Sequence, residues 1–472
     1  MQLYGSPQNF FLNINRHKAF IRKCHEGFSL AQNEIVRLLP DTEAKIPLLL
    51  EDYRKEIDRF KKDRVPPIPI YTKAGIAYFN QVFEARLLRE IANCIAWQLV
   101  GDDGTKIRAL IQGIHTPPAQ RIQLEKMLDI VNELNGYDVE SFGLLTDITS
   151  CIQVADVLVR LSTGQIGLSE LKEGKVNDHI ETLLKMEPHE EATHKKFDEL
   201  ATEYGKPFIK QFKRVVRQKE RMQKVTDYVN KSVGDDIQFA ARRITNAIPI
   251  STDNYIKEVN LLMHATEEKG AQYLAIDDCL VLGAFDNTKP QRSKGVCRKD
   301  FQHIVWHKYF EDWETCAYGK TSGEEAVMKH FEYMLLPVWE MRDKVATPTH
   351  RPIFISGLDK ELVLDILFER KSLFFYFSPE RFVSLCQAKG ADVSWVTGKE
   401  YNRIKGKYSK AMGLFDIHDG IIKIKDDGLD LEMHMCIGTL FKLIYEFQRP
   451  AALADVYKNH LKEMVKPTAD AP

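Results

Sequence analysis

The chain has few cysteines, no long apolar run and almost no net charge, and each absence excludes something. Eight cysteines lie scattered through 472 residues, at 24, 94, 151, 279, 297, 316, 386 and 436. No two form a CxxC pair and no clustered framework is present, which fits a reducing compartment better than a secreted one. Nowhere do 18 apolar residues follow one another, so no segment reads as a membrane-spanning helix. The opening MQLYGSPQNFFLNINRHK lacks an apolar core followed by a small-residue cleavage site. The expectation is a cytoplasmic protein with no membrane partner. Lys plus Arg (66) and Asp plus Glu (67) cancel, so any charged binding surface must be local. There is no GxxxxGK[ST] phosphate loop, so no ATP motor is expected, and no GxSxG nucleophile turn that would argue for an acyl hydrolase.

What is present is a globular composition, 44% hydrophobic and 28% charged, on a chain long enough for two or three domains. Proline clusters at VPPIP (65–69), HTPPAQ (115–120) and NAIPISTDN (246–254) punctuate it. They suggest a helical N-terminal region over 1–115, a central domain over 116–245 and an α+β C-terminal region over 246–472. In the first region Phe79, Phe83, Leu87, Leu88, Ile91 and Ile95 recur at helical spacing and are expected to face a core. The central domain reads as a helix over 119–135 closed by Gly136, then three short strands, then a helix from about Lys206 to Val229. In the third, QYLAIDDCLVLGAF (272–285), SLFFYF (372–377) and IIKIK (421–425) read as strands.

The chemistry concentrates in the central domain, in ADVLVRLSTGQIGLSELKEGKVN (155–177). With Ser162-Thr163-Gly164 as a three-residue loop, the two flanking strands pair Leu161 with Gln165 and Leu158 with Leu168. The same register sets Asp156 opposite Glu170, with Lys172 two residues further on the same face. Facing carboxylates repel unless something neutralises them. A divalent cation such as Mg²⁺ does so, being held by one or two carboxylates plus water and phosphate oxygens. Such a hairpin also occurs as a surface turn with an exposed salt bridge. Apolar residues on both faces, Leu158 and Leu168 against Ile152, Val157, Val159 and Leu171, argue instead for a buried pair.

This stretch resembles the PD-(D/E)XK nuclease superfamily, over roughly residues 119 to 230. The resemblance implies a restriction-endonuclease-like α/β core, a helix, a three-stranded hairpin region and a second helix. It implies a Mg²⁺- or Mn²⁺-dependent endonuclease acting on nucleic acid, DNA being the commoner substrate. Asp156 and Glu170 then match the metal ligands and Lys172 the catalytic lysine. A further glutamate from the preceding helix falls on Glu125, with Glu133 as the alternative. A glutamine from the following helix falls on Gln211 or Gln218. Ala155 stands where the family's name has proline, and Asp147 also precedes Glu170 at a tolerable distance, as an auxiliary acid. Analogy with stand-alone members implies anti-phage defence and homo-oligomers. The competing expectation is a catalytically inactive nucleic-acid-binding or partner-sensing protein, with a regulatory partner on the C-terminal region.

The helix after the hairpin carries local charge. Between Gly205 and Lys231 nine lysines or arginines stand against Glu220 and Asp227. Phe208, Phe212, Val215, Met222 and Val225 would face the core, leaving Lys210, Lys213, Arg214, Arg217, Arg221 and Lys224 to follow a phosphate backbone or simply to face water. Three other groups carry less. His303 and His307 stand four apart beside Phe301, Trp306 and Phe310, a spacing that suits zinc but more commonly flanks an aromatic face. His189 and His194 sit in a polar stretch that reads as a loop or exposed helix start. Asp277-Asp278 interrupts an apolar run, a pattern that suits a second carboxylate site but more commonly marks a strand end or bulge.

Overall fold

The computed structural model describes residues 14–62, 72–111, 118–171, 174–187, 190–231, 233–235, 243–245, 253–289, 294–309, 338–342, 351–408, 420–426, 431–434 and 437–464. The chain divides into two compact units, residues 3–246 and residues 247–472. The break expected near 115 falls inside the first unit, whose long N-terminal helices pack on the central sheet. Both are mixed α and β, in the general layout expected: helices first, then a small sheet followed by helices, then an α+β region.

The first unit opens with α1 (Ile14–Lys62), a 49-residue helix with Pro40 and Pro47 inside it. Helix α2 (Lys73–Leu99) follows, its start capped by the Thr72 hydroxyl accepting from Gly75 N–H. The buried side of α2 is not the stripe its apolar spacing predicts. Phe79 is 40% exposed and lies edge-on to Tyr53, whereas Arg89, Glu90 and Asn93 are buried along with Ile95 and Trp97. Short α3 (Gly104–Leu110) leads to α4 (Arg121–Tyr137). The helix expected to close at Gly136 runs one residue past it, because the chain turns only at Asp138, whose carboxylate takes the Glu140 N–H and the Ser141 hydroxyl.

Strands β1 (Phe142–Leu145), β2 (Val157–Arg160) and β3 (Ile166–Ser169) form an antiparallel sheet in that order. The β2–β3 register is the one the turn dictates: Leu158 pairs with Leu168, and Leu161 N–H donates to Gln165 O at 2.9 Å. Gly164 supplies the left-handed residue at φ 84°.

Side-chain amides close both edges of this small sheet. On β1, Asn135 donates to Gly143 O and accepts from Gly143 N–H at 3.1 and 2.6 Å, while Gln32 of α1 accepts from Leu145 N–H at 2.8 Å. A β-carbon at Gly143 would stand 2.9 Å from Leu134, so glycine lets α4 come this close. On β3, Asn230 makes the same two-way pair with Ile166 at 2.8 and 2.9 Å. An edge satisfied in this way is no template for another strand.

After β3 come α5 (Lys175–Lys185) and α6 (Glu191–Lys231). Helix α6 begins earlier than its basic half and breaks at Gly205 (φ 68°), so the stretch read as one helix from Lys206 is its second arm. Phe208, Val215 and Val225 are buried as the spacing predicts, while Phe212 and Met222 are half-buried. Strands β4 (Val233–Asp235) and β5 (Arg243–Thr245) end the unit as a two-stranded ribbon.

The second unit places α7 (Ile256–Lys269), then β6 (Ala271–Ile276) and β7 (Leu280–Asp286), then α8 (Lys294–Tyr309), β8 (Trp339–Glu340), α9 (Lys360–Leu367), β9 (Lys371–Phe377) and α10 (Pro379–Ala388). The sheet order is β6-β7-β9-β8, antiparallel throughout. Every residue of β7 and of β9 is buried. The run QYLAIDDCLVLGAF is therefore two strands, turned at Asp277 and Asp278, both at positive φ. Asp277 accepts from Ala451 N–H at 2.8 Å and Asp278 pairs with Arg381, so these carboxylates hold a turn. A second sheet of β10 (Asp392–Thr397), β11 (Gly420–Asp426) and β12 (Leu431–His434) carries α11 (Gly398–Tyr408); α12 (Ile437–Tyr445) and α13 (Pro450–Met464) complete the unit. Phe301 is fully buried on the glycine gap of Gly283, and His303 is exposed; the side chains of Trp306 and His307, and Phe310, lie outside the described residues.

Candidate active site

The site forms where the β1–β2 connection, the end of β3 and the basic arm of α6 meet. They enclose a cavity of about 430 Å³ lined by Asp147, Asp156, Glu170, Gln218 and three arginines, Arg214, Arg217 and Arg221. Residues from two well-separated stretches of sequence thus converge on one volume, as ligand sites commonly require.

The connection from β1 to β2 starts and finishes at the cavity. Beyond the last ladder pair, Leu145 with Val157, Thr146 N–H donates to Asp156 O at 2.9 Å and the Thr146 hydroxyl donates to Ala155 O. Helix α2 holds the connection from behind. Arg89 donates to the Asp147 and Thr149 carbonyls at 2.8 and 2.9 Å, and its other nitrogens form an ion pair with Glu43 at 2.6 Å. Asn93 accepts from Ser150 N–H at 2.9 Å and donates to its hydroxyl at 2.8 Å. These buried polar groups serve to fix the backbone that carries Asp147. Nothing in the periodicity of α2 announces them, since Arg and Asn on a helix ordinarily mark its wet face.

The β2–β3 ladder ends at Val157 with Ser169, one pair short of Asp156 and Glu170. Asp156 N–H reaches back to Ser169 O at 3.0 Å, and the Asp156 carboxylate accepts Leu171 N–H at 2.8 Å. Glu170 accepts from the Gln218 side-chain amide. The Asp156 charge also reaches a second acid of the β1–β2 connection, Asp147. Burial first, and the Asp156 charge second, push the Asp147 carboxyl up, while Arg89 pulls it down.

Helix α6 is registered on β3 at two points. Asn230 pairs with Ile166 near one end of the strand, and Gln218, about three helical turns earlier, meets Glu170 just past the other. Arg214, Arg217, Gln218 and Arg221 stand at i, i+3, i+4 and i+7, one helical face. Burial lowers the Arg221 guanidinium's affinity for its proton, and its Nε is buried with no hydrogen-bond acceptor among the described residues.

The other expected site residues fall elsewhere. Glu125 is exposed on α4 beside Arg121 at 3.3 Å, and Glu133 accepts from the Tyr137 hydroxyl at 3.1 Å; neither lines the cavity. Gln211 donates to Asn177 at 3.0 Å, so of the two candidate glutamines it is Gln218 that reaches the carboxylates. Lys210, Lys213 and Lys224 are exposed on the same arm of α6, outside the cavity lining. Lys172 and His189 lie outside the described residues, and His194 is exposed.

Among the described residues no group of three or more His, Cys, Asp or Glu stands close enough to cage a metal ion. The donors fit a looser arrangement, in which one or two carboxylates hold a divalent cation and water fills its remaining positions. The observation behind that fit is that Asp147 and Asp156 line one cavity, where burial and the Asp156 charge raise the cost of ionising Asp147.

No family model matches the chain, no curated protein matches it, and no solved structure matches it.

Proposed function

We propose that this protein is a metal-dependent nuclease of the restriction-endonuclease-like kind, hydrolysing phosphodiester bonds in the cavity between the β2–β3 hairpin and α6. The observation that carries the reading is the meeting of Asp147, Asp156 and Glu170 with Arg214, Arg217 and Arg221 in one cavity. Carboxylates alone would suit a cation and arginines alone an anion; side by side they suit a phosphate bridged to a cation.

Asp156 and Glu170 would hold Mg²⁺ or Mn²⁺, with Asp147 as a further carboxylate. When bound, such an ion supplies Lewis-acid polarisation of a phosphoryl oxygen and an acidified water. The chain's own groups do the rest. The Leu171 N–H fixes one Asp156 oxygen and the Gln218 amide orients Glu170, so neither carboxylate has to be ordered when substrate arrives. Arg89 and Asn93 keep the Asp147 backbone in place from the buried side. The arginines offer positive charge to a phosphate in a recess of the protein, where it counts for more than in bulk water. Lys172, two residues after Glu170, is the proposed lysine for charge developing on the phosphate.

DNA is the proposed substrate. The six described cysteines are all free, and among the described residues no helix is long and apolar enough to cross a membrane. Both are in keeping with a cytoplasmic setting. The test is cleavage of supercoiled plasmid, linear duplex, single-stranded DNA and RNA with Mg²⁺, Mn²⁺ or EDTA, beside Glu170→Ala and Lys172→Ala. Metal-dependent cutting lost in both variants supports the reading; cutting retained by Glu170→Ala removes it.

A further inference from the structure

Several arginines elsewhere in this protein are paired. Arg37, Arg89, Arg381 and Arg449 each meet a carboxylate in an ion pair. Arg214, Arg217 and Arg221 share a cavity with three acids, yet none of them is in an ion pair with any described residue. Glu170 turns to the amide of Gln218 and Asp156 to the backbone of Leu171. Apart from the Arg217 Nε, which donates to the Lys213 carbonyl at 3.2 Å, the three guanidiniums at the cavity donate to no described residue. One of them, Arg221, has a buried Nε that meets no acceptor among the described residues. A buried donor left open costs stability unless a ligand fills it.

The ligand's chemistry follows from the donors and from the space. An arginine fork matches phosphate oxygens in a bidentate geometry that lysine cannot reproduce. A backbone diester carries one negative charge, whereas a terminal phosphate monoester carries about −1.5 to −2 near neutrality and has more free oxygens. Three arginines at one point exceed what a single diester asks for. The cavity, about 430 Å³, lies in the size range of small-ligand pockets, and a duplex, whose major groove alone is about 12 Å wide, cannot enter it.

We infer that Arg214, Arg217 and Arg221 form a clamp for the terminal phosphate of a nucleic-acid strand, placing the end of a single strand beside Asp147, Asp156 and Glu170. The clamp deepens the nuclease reading and rests on it for the cleavage that follows capture. It turns that reading from an enzyme that cuts anywhere into one that works from phosphorylated ends.

The experiment is fluorescence-anisotropy binding of labelled single-stranded oligonucleotides to the full-length protein in EDTA, where no metal-dependent cutting occurs. The set comprises 5′-phosphorylated, 3′-phosphorylated and hydroxyl-ended strands and a circle of the same sequence, with inorganic phosphate as competitor. A strand with a phosphate at one of its ends should bind at least about tenfold tighter than the hydroxyl-ended strand and the circle, and which end it is identifies the source of the phosphate. Inorganic phosphate should erase that preference, and so should Arg221→Gln. Arg217→Gln, on the exposed side of the helix, serves if Arg221→Gln melts early, and Arg221→Lys should restore charge without restoring the preference. Equal binding of phosphorylated, hydroxyl-ended and circular strands overturns the clamp, as does a preference that survives both glutamine variants. The two readings fail separately. A preference for phosphorylated ends with no cutting in Mg²⁺ or Mn²⁺ leaves the clamp and removes the nuclease; metal-dependent cutting of circles as fast as of phosphorylated linear strands does the reverse.

Discussion

The three-stranded sheet of the first unit and the four-stranded sheet of the second are built by the same antiparallel pairing and put to opposite ends. In the second, β7 and β9 are buried along their whole length: their own Phe285, Phe374, Phe375 and Phe377 have no exposed surface, nor has Phe301 of α8. Charges at its strand ends have partners: Asp277 and Asp278 lock a turn, and Lys371 is neutralised by Glu267 at 2.8 Å. In the first, strands of four residues end just where charge begins, and Asp147, Asp156 and Glu170 face a cavity. Charges that fold a protein find partners within it. Asp147, held in a cavity beside the Asp156 charge, is ionised at a cost in stability, as the proposed site would require.

This contrast can be broken from either side, and the largest effect belongs to the site. Glu170→Ala should lower metal-dependent cleavage by a factor of about a hundred or more, with thermal stability and EDTA binding nearly unchanged. Parallel loss of binding and cleavage would take Glu170 out of the chemical step. The mirror image is Phe374→Ala, which should cost about 3–5 kcal/mol by denaturant unfolding of the second unit without altering cleavage per folded molecule. Cleavage that falls below the folded fraction would tie the second unit to catalysis.

Asn230→Ala should cost about 1–3 kcal/mol, because Ile166 N–H and C=O lose their partner, and it should also slow cleavage by loosening the anchor that registers Gln218 on Glu170. Stability lost with full activity kept would show that the anchor does not position Gln218.

The Asp147 carboxyl is pushed up by burial and by Asp156, so folding favours its protonated form. Its favourable contribution is present below the ordinary carboxyl range and is lost as pH rises through the raised value in the folded protein. Asp147→Asn should therefore raise the melting midpoint in neutral buffer and leave it unchanged in acid, and the wild type's rise in midpoint with Mg²⁺ should shrink in the variant. A variant less stable than wild type at neutral pH would reverse the sign assigned to this group.

The smallest effect is expected at the outer lysines. Reversing Lys210 and Lys224 to Glu should weaken nucleic-acid binding modestly and flatten its dependence on salt, by about one unit of slope for each phosphate that the protein no longer neutralises. An unchanged slope would make them an ordinary wet face.

The β2–β3 hairpin was legible because two local rules coincide: side chains alternate along a strand, and Gly164 fits a three-residue loop. The buried stripe of the basic helix was legible for the same kind of reason, a period of 3.6 with apolar residues on one side. Helix α2 was not, since its deepest face includes Arg89, Glu90 and Asn93, and the partners of Arg89 and Asn93 on the β1–β2 connection lie far along the chain. The glutamate sought on α4 was chosen by distance along the chain, and distance along the chain does not say which way a helix faces; Glu125 points to Arg121 and solvent.

By itself, then, the sequence determined the short-range structure: the turn at Gly164, the register that aligns Leu158 with Leu168, and the concentration of arginine and lysine on one arm of α6. The tertiary structure decided which of these charges meet. It chose Gln218 over Gln211, brought Asp147 within reach of the Asp156 charge, and set three arginines around the same cavity in no ion pair with a described residue. The physical reason is range. Alternation and turn chemistry act between neighbours in the chain and can be read there, whereas the fate of a charge depends on burial and on partners that only packing brings within a few ångströms.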